Sequence, residues 1–167
     1  TSDALRGIRM YGFTHAADHL VYLQDEGGDE NFHLFAVNVE TGEERNLTPF
    51  PGARAMPVGF SPRHPDEVLV QLNNRNPQYF DLHRVNVRTG EMTLVYENDE
   101  FAGFVADSDY AVRYASRATP DGGMQYYRAT DEGWVEDLKV DQVDAMTTAL
   151  SGFTHDGATL YLLDSRG

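Results

Sequence analysis

The residue best suited to bind a ligand is Arg75, within the polar stretch 73–77, which we predict to be a loop. A guanidinium presents a planar fork of donors that binds a carboxylate or a carbonyl oxygen, the carboxylate in a bidentate manner. The alternative is structural, because Asp81 follows a few residues later and an ion pair between the two would hold the predicted loop in place. Arg75 is therefore a candidate substrate-contact residue with a structural alternative.

A second candidate is the acidic, glycine-containing turn formed by Asp25, Glu26, Asp29, Glu30 and Asn31. Oxygen ligands at alternate positions suit calcium. The spacing does not match an EF-hand loop, however, and glycines stand where ligands are needed. We interpret the turn as a solvated hairpin connection, and no metal is expected there.

The remaining residues give little support to nucleophilic or metal-based catalysis. The chain has no cysteine, which excludes thiolate nucleophiles and cysteine-ligated zinc or iron–sulfur centres. It also lacks the Gly-x-Ser-x-Gly turn that exposes a hydrolase serine. His15 and His19 have a spacing that suits metal only on a helix, and we predict a strand connection there. We assign structural roles to His83 and His155. Taken together, these observations lead us to expect no catalytic residue, metal or cofactor.

The charge of the chain limits its partners. It carries a formal net charge of −14 over 167 residues. This argues against nucleic acids and anionic membrane surfaces, which are bound by basic surfaces. No apolar run approaches the ~20 residues of a membrane-spanning helix. The start at Thr1 shows no signal peptide and leads us to expect a segment of a longer protein, whose compartment the sequence leaves open.

Two sequence motifs recur along the chain at a similar spacing. Gly-Phe returns at steps of 47, 44 and 49 residues, at positions 12–13, 59–60, 103–104 and 152–153. A second phrase, Val-Asn-Val-x-Thr-Gly-Glu, occupies 37–43 and returns 48 residues later at 85–91. A period in the forties with several short strands per unit is typical of β-propeller blades.

We therefore predict an all-β fold, a β-propeller fragment of about three and a half four-stranded antiparallel blades within residues 1–167. The predicted blades are roughly 8–49, 55–98, 101–140 and an incomplete 147–167. Gly42 and Gly90 stand where tight hairpins need positive φ. Strand 20–23 is apolar on both faces, as expected between neighbouring blades. Trp134 and the pair Tyr126 and Tyr127 are expected to pack within a blade.

The chain resembles the propeller of bacterial prolyl oligopeptidase-family serine peptidases, of the dipeptidyl aminopeptidase or acylaminoacyl-peptidase type. The most distinctive part of the resemblance is the turn Asp-x-x-Gly-Asp-Glu-Asn at 25–31. The resemblance covers nearly the whole chain, through segments 22–31, 34–38, 46–50, 73–82, 103–107 and 159–167.

The resemblance implies an N-terminal propeller joined to a C-terminal α/β-hydrolase domain that carries the Ser, Asp and His of a catalytic triad. No residue here matches that triad, so the implied role is that of a non-catalytic segment without its hydrolase domain. Such propellers filter substrates by size and admit short peptides. In some members of the family, glutamates hold the substrate's α-amino group, which makes Glu26 and Glu30 candidate substrate contacts. Arg75 is the third candidate, and its expected ligand is a peptide carboxylate or carbonyl near the propeller's central opening.

Two other interpretations stay open. A stand-alone propeller that binds a protein partner, similar to propellers of periplasmic translocation proteins, is favoured if no Gly-x-Ser-x-Gly follows in the parent. An enzyme in its own right is disfavoured by the missing triad and metal cluster. An open stack of blades also leaves an unpaired strand and an apolar face, which predicts self-association; two copies sum to seven blades.

Overall fold

The computed structural model describes residues 7–166 of the chain. Strands are the only regular elements in this range. The strands are β1 (Met10–Phe13), β2 (His19–Gln24), β3 (His33–Asn38), β4 (Glu44–Asn46), β5 (Ala55–Phe60), β6 (Glu67–Asn76), β7 (Tyr79–Asn86), β8 (Met92–Tyr96), β9 (Gly103–Ala106), β10 (Val112–Ala118), β11 (Met124–Thr130), β12 (Gly133–Val140), β13 (Ala149–Phe153) and β14 (Leu160–Leu163).

These strands form three four-stranded antiparallel sheets and a two-stranded one. Strands β1 to β4, β5 to β8 and β9 to β12 each lie side by side in chain order, and β13 pairs with β14. The chain divides into two compact units, the first ending at Glu97 and the second beginning at Asn98. This is the predicted all-β class, with the last sheet half the width of the others.

The first unit is held together by apolar side chains on its central strands. Val21 and Leu34 from the first sheet belong to one buried cluster with Val68 and Val85 from the second. Strand β2 has buried side chains on both of its faces, as its apolar sequence predicts. Because neither face meets water, β-branched and aliphatic residues can occupy successive positions.

The recurring phrase Val-Asn-Val-x-Thr-Gly-Glu makes the same turn twice. The Oδ1 atom of Asn38 accepts hydrogen bonds of 3.0 Å from the backbone N–H groups two and three residues later, and Asn86 does the same. Gly42 and Gly90 follow with φ of 75° and 76°. The predicted positive φ at both glycines is confirmed, because only glycine adopts it without steric cost.

The hairpin between β6 and β7 differs from the prediction. The stretch 73–77 was expected to be a loop, but β6 runs to Asn76 and the chain reverses within Pro77 and Gln78. The register is irregular between Leu72 and Asn76, so the strand bulges there instead of ending. Arg75 therefore lies on a strand. Within residues 7–166 the structure has no helix capable of spanning a bilayer.

Candidate functional site

Arg75 is paired with a buried carboxylate. Its Nε and Nη2 atoms donate to Oδ2 and Oδ1 of Asp81, each at 2.8 Å. The Asp81 side chain is 4% exposed and that of Arg75 is 36% exposed. Glu97 adds a second carboxylate, with Oε1 3.9 Å from Nη1 of Arg75. The ion pair expected as the structural alternative is thus present, and a substrate contact by the exposed part of Arg75 stays a prediction.

Asn73 links this hairpin to the start of the second sheet. Its Oδ1 atom accepts a 2.6 Å hydrogen bond from the backbone N–H of Arg54, and its Nδ2 donates to the carbonyl of Pro77 at 3.3 Å. The backbone N–H of Asn73 in turn donates to the carbonyl of Arg54 at 3.4 Å. The end of β6 and the residue before β5 are therefore held together by both backbone and side chain.

Sequence reasoning did not single out Arg54, nor Arg9 and Phe32, which lie beside it. The Cζ atoms of Arg9 and Arg54 are 5.0 and 5.7 Å from the centroid of the Phe32 ring. Such distances are those of cation–π contacts. Each of the three residues directly precedes a strand, but no motif marks them, since their contact depends on how the strands pack.

The acidic turn lies between β2 and β3, and Glu26 and Glu30 are exposed in it. Asp29 accepts hydrogen bonds of 3.0 Å from both the backbone and the side chain of Asn31. The N–H of Glu30 lies 3.3 Å from Oδ2 of Asp25. These carboxylates serve the turn itself, and no group of three His, Asp or Glu side chains within the described residues is arranged to hold a metal ion. Glu26 and Glu30 thus belong to a different hairpin from Arg75.

His19, the first residue of β2, joins an ion-pair network. His19 Nδ1 is 2.9 Å from Oδ1 of Asp18. Arg88 binds both oxygens of Asp18 at 2.7 Å and also donates to Asp66 at 2.7 Å. Arg88 and His19 together lower the pKa of Asp18 well below its usual range. The network borders a polar cavity of about 200 Å³ and connects the first two sheets.

His83 is a buried histidine on β7, with Nδ1 lacking a hydrogen-bond partner. Burial lowers its pKa, and this effect outweighs the nearby Asp81 carboxylate, which raises it. His83 is therefore neutral in the folded chain at neutral pH, in line with the structural role predicted for it.

The lowered pKa of His83 predicts that the chain loses stability below about pH 6.5, where a histidine of the unfolded chain begins to take up a proton that the folded chain does not bind. Urea unfolding at pH 7.5 and pH 5.5 measures this. The wild type is expected to lose more stability between the two pH values than His83→Gln, which cannot titrate. His155→Gln, an exposed-turn variant, is the matched control. Equal pH dependence in His83→Gln and the wild type would contradict the prediction.

Trp134 and Tyr127, two of the three aromatic residues predicted to pack within a blade, both contact Phe101 in the second unit. Phe101 is in contact with Trp134 and Tyr127, at centroid distances of 5.1 and 5.5 Å. The Cζ atom of Arg117 lies 5.3 and 5.2 Å from the centroids of the Phe101 and Tyr127 rings. An open cavity of about 470 Å³ borders this cluster on its polar side, lined by Thr119, Pro120, Asp121, Gln125, Tyr127, Glu136 and Lys139.

His155 lies close to one serine, which the sequence did not reveal. Ser108 Oγ is 3.4 Å from Nδ1 of His155; Ser108 is partly exposed and His155 is exposed. Asp156 accepts hydrogen bonds from Thr154 Oγ1 at 2.5 Å and from the N–H of Ala158 at 3.0 Å, as in an Asx turn. A solvated contact of this length is a weak hydrogen bond, so it does not activate the serine as a nucleophile.

Four-stranded antiparallel sheets laid down in chain order define a propeller-type class, and solved structures support it. The chain is similar to a prolyl endopeptidase with a TM-score of 0.53 and 16% identity, over 94% of this chain and 26% of that one. It is also similar to TolB from Acinetobacter baumannii with a TM-score of 0.50 and 16% identity, over 94% of this chain and 37% of that one. These likenesses confirm the predicted fold class.

Two curated relatives are more specific. Dipeptidyl aminopeptidase BIII from Pseudoxanthomonas mexicana is 45% identical over 169 residues, covering 100% of this chain and 24% of the relative. Dipeptidyl peptidase family member 6 from Caenorhabditis elegans is 29% identical over 183 residues, covering 100% of this chain and 25% of the relative. No family model matches the chain.

The resemblance to a propeller segment of dipeptidyl aminopeptidase-type, prolyl oligopeptidase-family peptidases is confirmed by these relatives. The chain spans about a quarter of their length.

Proposed function

We propose that this chain is the non-catalytic propeller segment of a prolyl oligopeptidase-like serine peptidase. The single observation that carries the proposal is its 45% identity to a dipeptidyl aminopeptidase over the whole chain, which covers only 24% of that relative. The chain also lacks the Gly-x-Ser-x-Gly turn that a hydrolase domain needs. Its work is to admit short peptides to a hydrolase domain elsewhere in the protein and to dock to that domain.

Arg75, Glu26 and Glu30 are the proposed substrate contacts within this function. All three are at least partly exposed, and each lies at a hairpin end where a peptide can approach. Glu26 and Glu30 would accept from a substrate's α-amino group, and the outer N–H groups of Arg75 would donate to a carbonyl or carboxylate. The proposed blades are 8–49, 55–98, 101–140 and the incomplete 147–167.

Self-association is part of the proposal for the chain taken alone. Strand β14 pairs only with β13 among the described strands, and its Tyr161 and Leu163 are exposed. Tyr11 and Phe13 of β1 are exposed as well. Unpaired strand edges and apolar surface of this kind favour association with a second copy.

The test compares this chain with a longer protein that includes the sequence downstream of it. Both are assayed for cleavage of aminoacyl and acyl-aminoacyl chromogenic peptides, with and without a serine-directed inhibitor. We expect only the longer protein to cleave, and the inhibitor to abolish its activity. Cleavage by this chain alone, or a longer protein that does not cleave, would overturn the proposal.

A second candidate function is a stand-alone propeller that binds a protein partner. The observation that favours it is the likeness to TolB, which covers 94% of this chain. It requires that no Gly-x-Ser-x-Gly sequence follow this segment, so the same comparison of the two proteins decides between the candidates.

A further inference from the structure

Arg9, Phe32 and Arg54 form a small cluster at one end of the first unit. They directly precede β1, β3 and β5. Strands β1 and β3 both pair antiparallel with β2 and so run in the same direction, which places Arg9 and Phe32 at the same end of the first sheet. The Phe32 side chain is 5% exposed, and the two guanidinium carbons lie 5.0 and 5.7 Å from its ring centroid.

Backbone hydrogen bonds hold the three residues in position. The N–H of Arg9 donates to the carbonyl of Leu23 at 3.0 Å, and the N–H of Ala55 donates to the carbonyl of Phe32 at 2.8 Å. Arg54 is anchored through its own N–H to Asn73 at 2.6 Å. The cluster thus consists of residues fixed at the starts of strands around a buried ring. Because these residues are already held in place, less conformational entropy is lost when a ligand binds.

Within residues 7–166, Arg9 and Arg54 differ from most other arginines because they form no ion pair with a carboxylate. Arg75, Arg84 and Arg88 all form ion pairs of 2.8 Å or less. Among the described residues, neither Arg9 nor Arg54 has an acid within ion-pair distance. The Nε atom of Arg54 is buried and has no acceptor. A buried donor without an acceptor is costly, so the described residues do not fully compensate the guanidinium of Arg54.

We propose that Arg9 and Arg54, held on the ring of Phe32, bind the carboxylate of a short peptide. A carboxylate has two planar acceptor oxygens that match the arginine fork. A polyanion such as nucleic acid is disfavoured by the net charge of −14. That the carboxylate comes from a peptide rests on the proposed function, whereas the binding of an anion rests on the two guanidinium groups that form no ion pair among the described residues.

In the test, isothermal titration calorimetry measures the affinity of the chain for N-acetyl-Ala-Ala-Phe and for the same peptide ending in an amide. The acetyl group removes the α-amino group, so Glu26 and Glu30 do not contribute. We expect the free acid to bind about tenfold more tightly than the amide. Arg54→Lys and Arg9→Lys are each expected to lose this preference, because lysine keeps the charge but not the fork.

The control is Arg128→Lys, an exposed arginine of β11, which should keep the full preference for the acid. Arg9 is exposed, so its variant tests the site even if Arg54→Lys fails to fold. Equal binding of acid and amide, no binding of either peptide, or the same loss in Arg128→Lys would overturn the inference. If this chain binds the acid but the longer protein does not, the proposal that a peptide occupies the site would be overturned. A carboxylate of the longer protein itself would then occupy it.

Failure of this inference can be told apart from failure of the proposed function. A longer protein that does not cleave peptides, together with a chain whose preference for the acid is lost in Arg9→Lys and Arg54→Lys, removes the proposed function and leaves the carboxylate site. A longer protein that cleaves, together with a chain that binds acid and amide equally, does the reverse.

Discussion

Replacement of Leu34 by alanine is expected to lower the free energy of unfolding of the first unit by about 3 kcal/mol. Leu34 is 0% exposed and belongs to the cluster that includes Val21, Val68 and Val85. Removal of its side chain deletes buried apolar surface and leaves a cavity between strands that cannot fully close. The loss is a large part of the stability of a typical domain.

Urea unfolding followed by far-ultraviolet circular dichroism measures this loss. Leu94→Ala is the matched control, because Leu94 of β8 is 50% exposed and its replacement should cost about 0.5 kcal/mol. A similar loss in both variants would show that Leu34 is not part of the core that stabilises the first unit.

Replacement of Arg75 by methionine is expected to lower the free energy of unfolding by about 2 kcal/mol. Methionine keeps much of the side-chain volume but removes both 2.8 Å hydrogen bonds to the buried Asp81 carboxylate. The carboxylate then stays in a poorly solvated position without its bidentate partner, so its desolvation is less well compensated.

The control is Arg45→Met, because the pair between Arg45 and Glu43 is 3.5 Å long and exposed. It should change stability by about 0.3 kcal/mol. The double variant Arg75→Met with Asp81→Leu should be less destabilised than the sum of the single variants, since it leaves no buried carboxylate at position 81. Equal effects of Arg75→Met and Arg45→Met would contradict a structural role for Arg75. In the longer protein, a raised KM for peptides in folded Arg75→Met would support the proposed substrate contact.

The local features of the chain were predictable because they depend on residues close together in sequence. Gly42 adopts positive φ because the turn phrase around it requires it, and its copy at Gly90 repeats the result. The run 20–23 within β2 is apolar on both faces, which predicts a strand covered on both sides. The pair between Arg75 and Asp81 was foreseeable for the same reason, since both residues belong to one hairpin.

The long-range features were not predictable, because they depend on which segments meet after folding. Arg88 is 70 residues from Asp18 in sequence, yet it binds both of its carboxylate oxygens. The contact of Arg9 and Arg54 with Phe32 arises only when the starts of β1, β3 and β5 come together. Even the extension of β6 through Arg75 depends on its pairing with β7, which the polar sequence of 73–76 does not suggest.

The sequence by itself determined the all-β class, the order of the strands within each sheet and the resemblance to a peptidase propeller. Strand periodicity and turn glycines are local signals, and the recurrence of two motifs along the chain shows that one unit is repeated. The tertiary structure decided which polar groups are paired and which are left without a partner. When the sheets pack, some charged groups are placed beside an opposite charge, whereas others, such as Arg54, keep a buried donor without an acceptor. No local sequence pattern encodes that outcome.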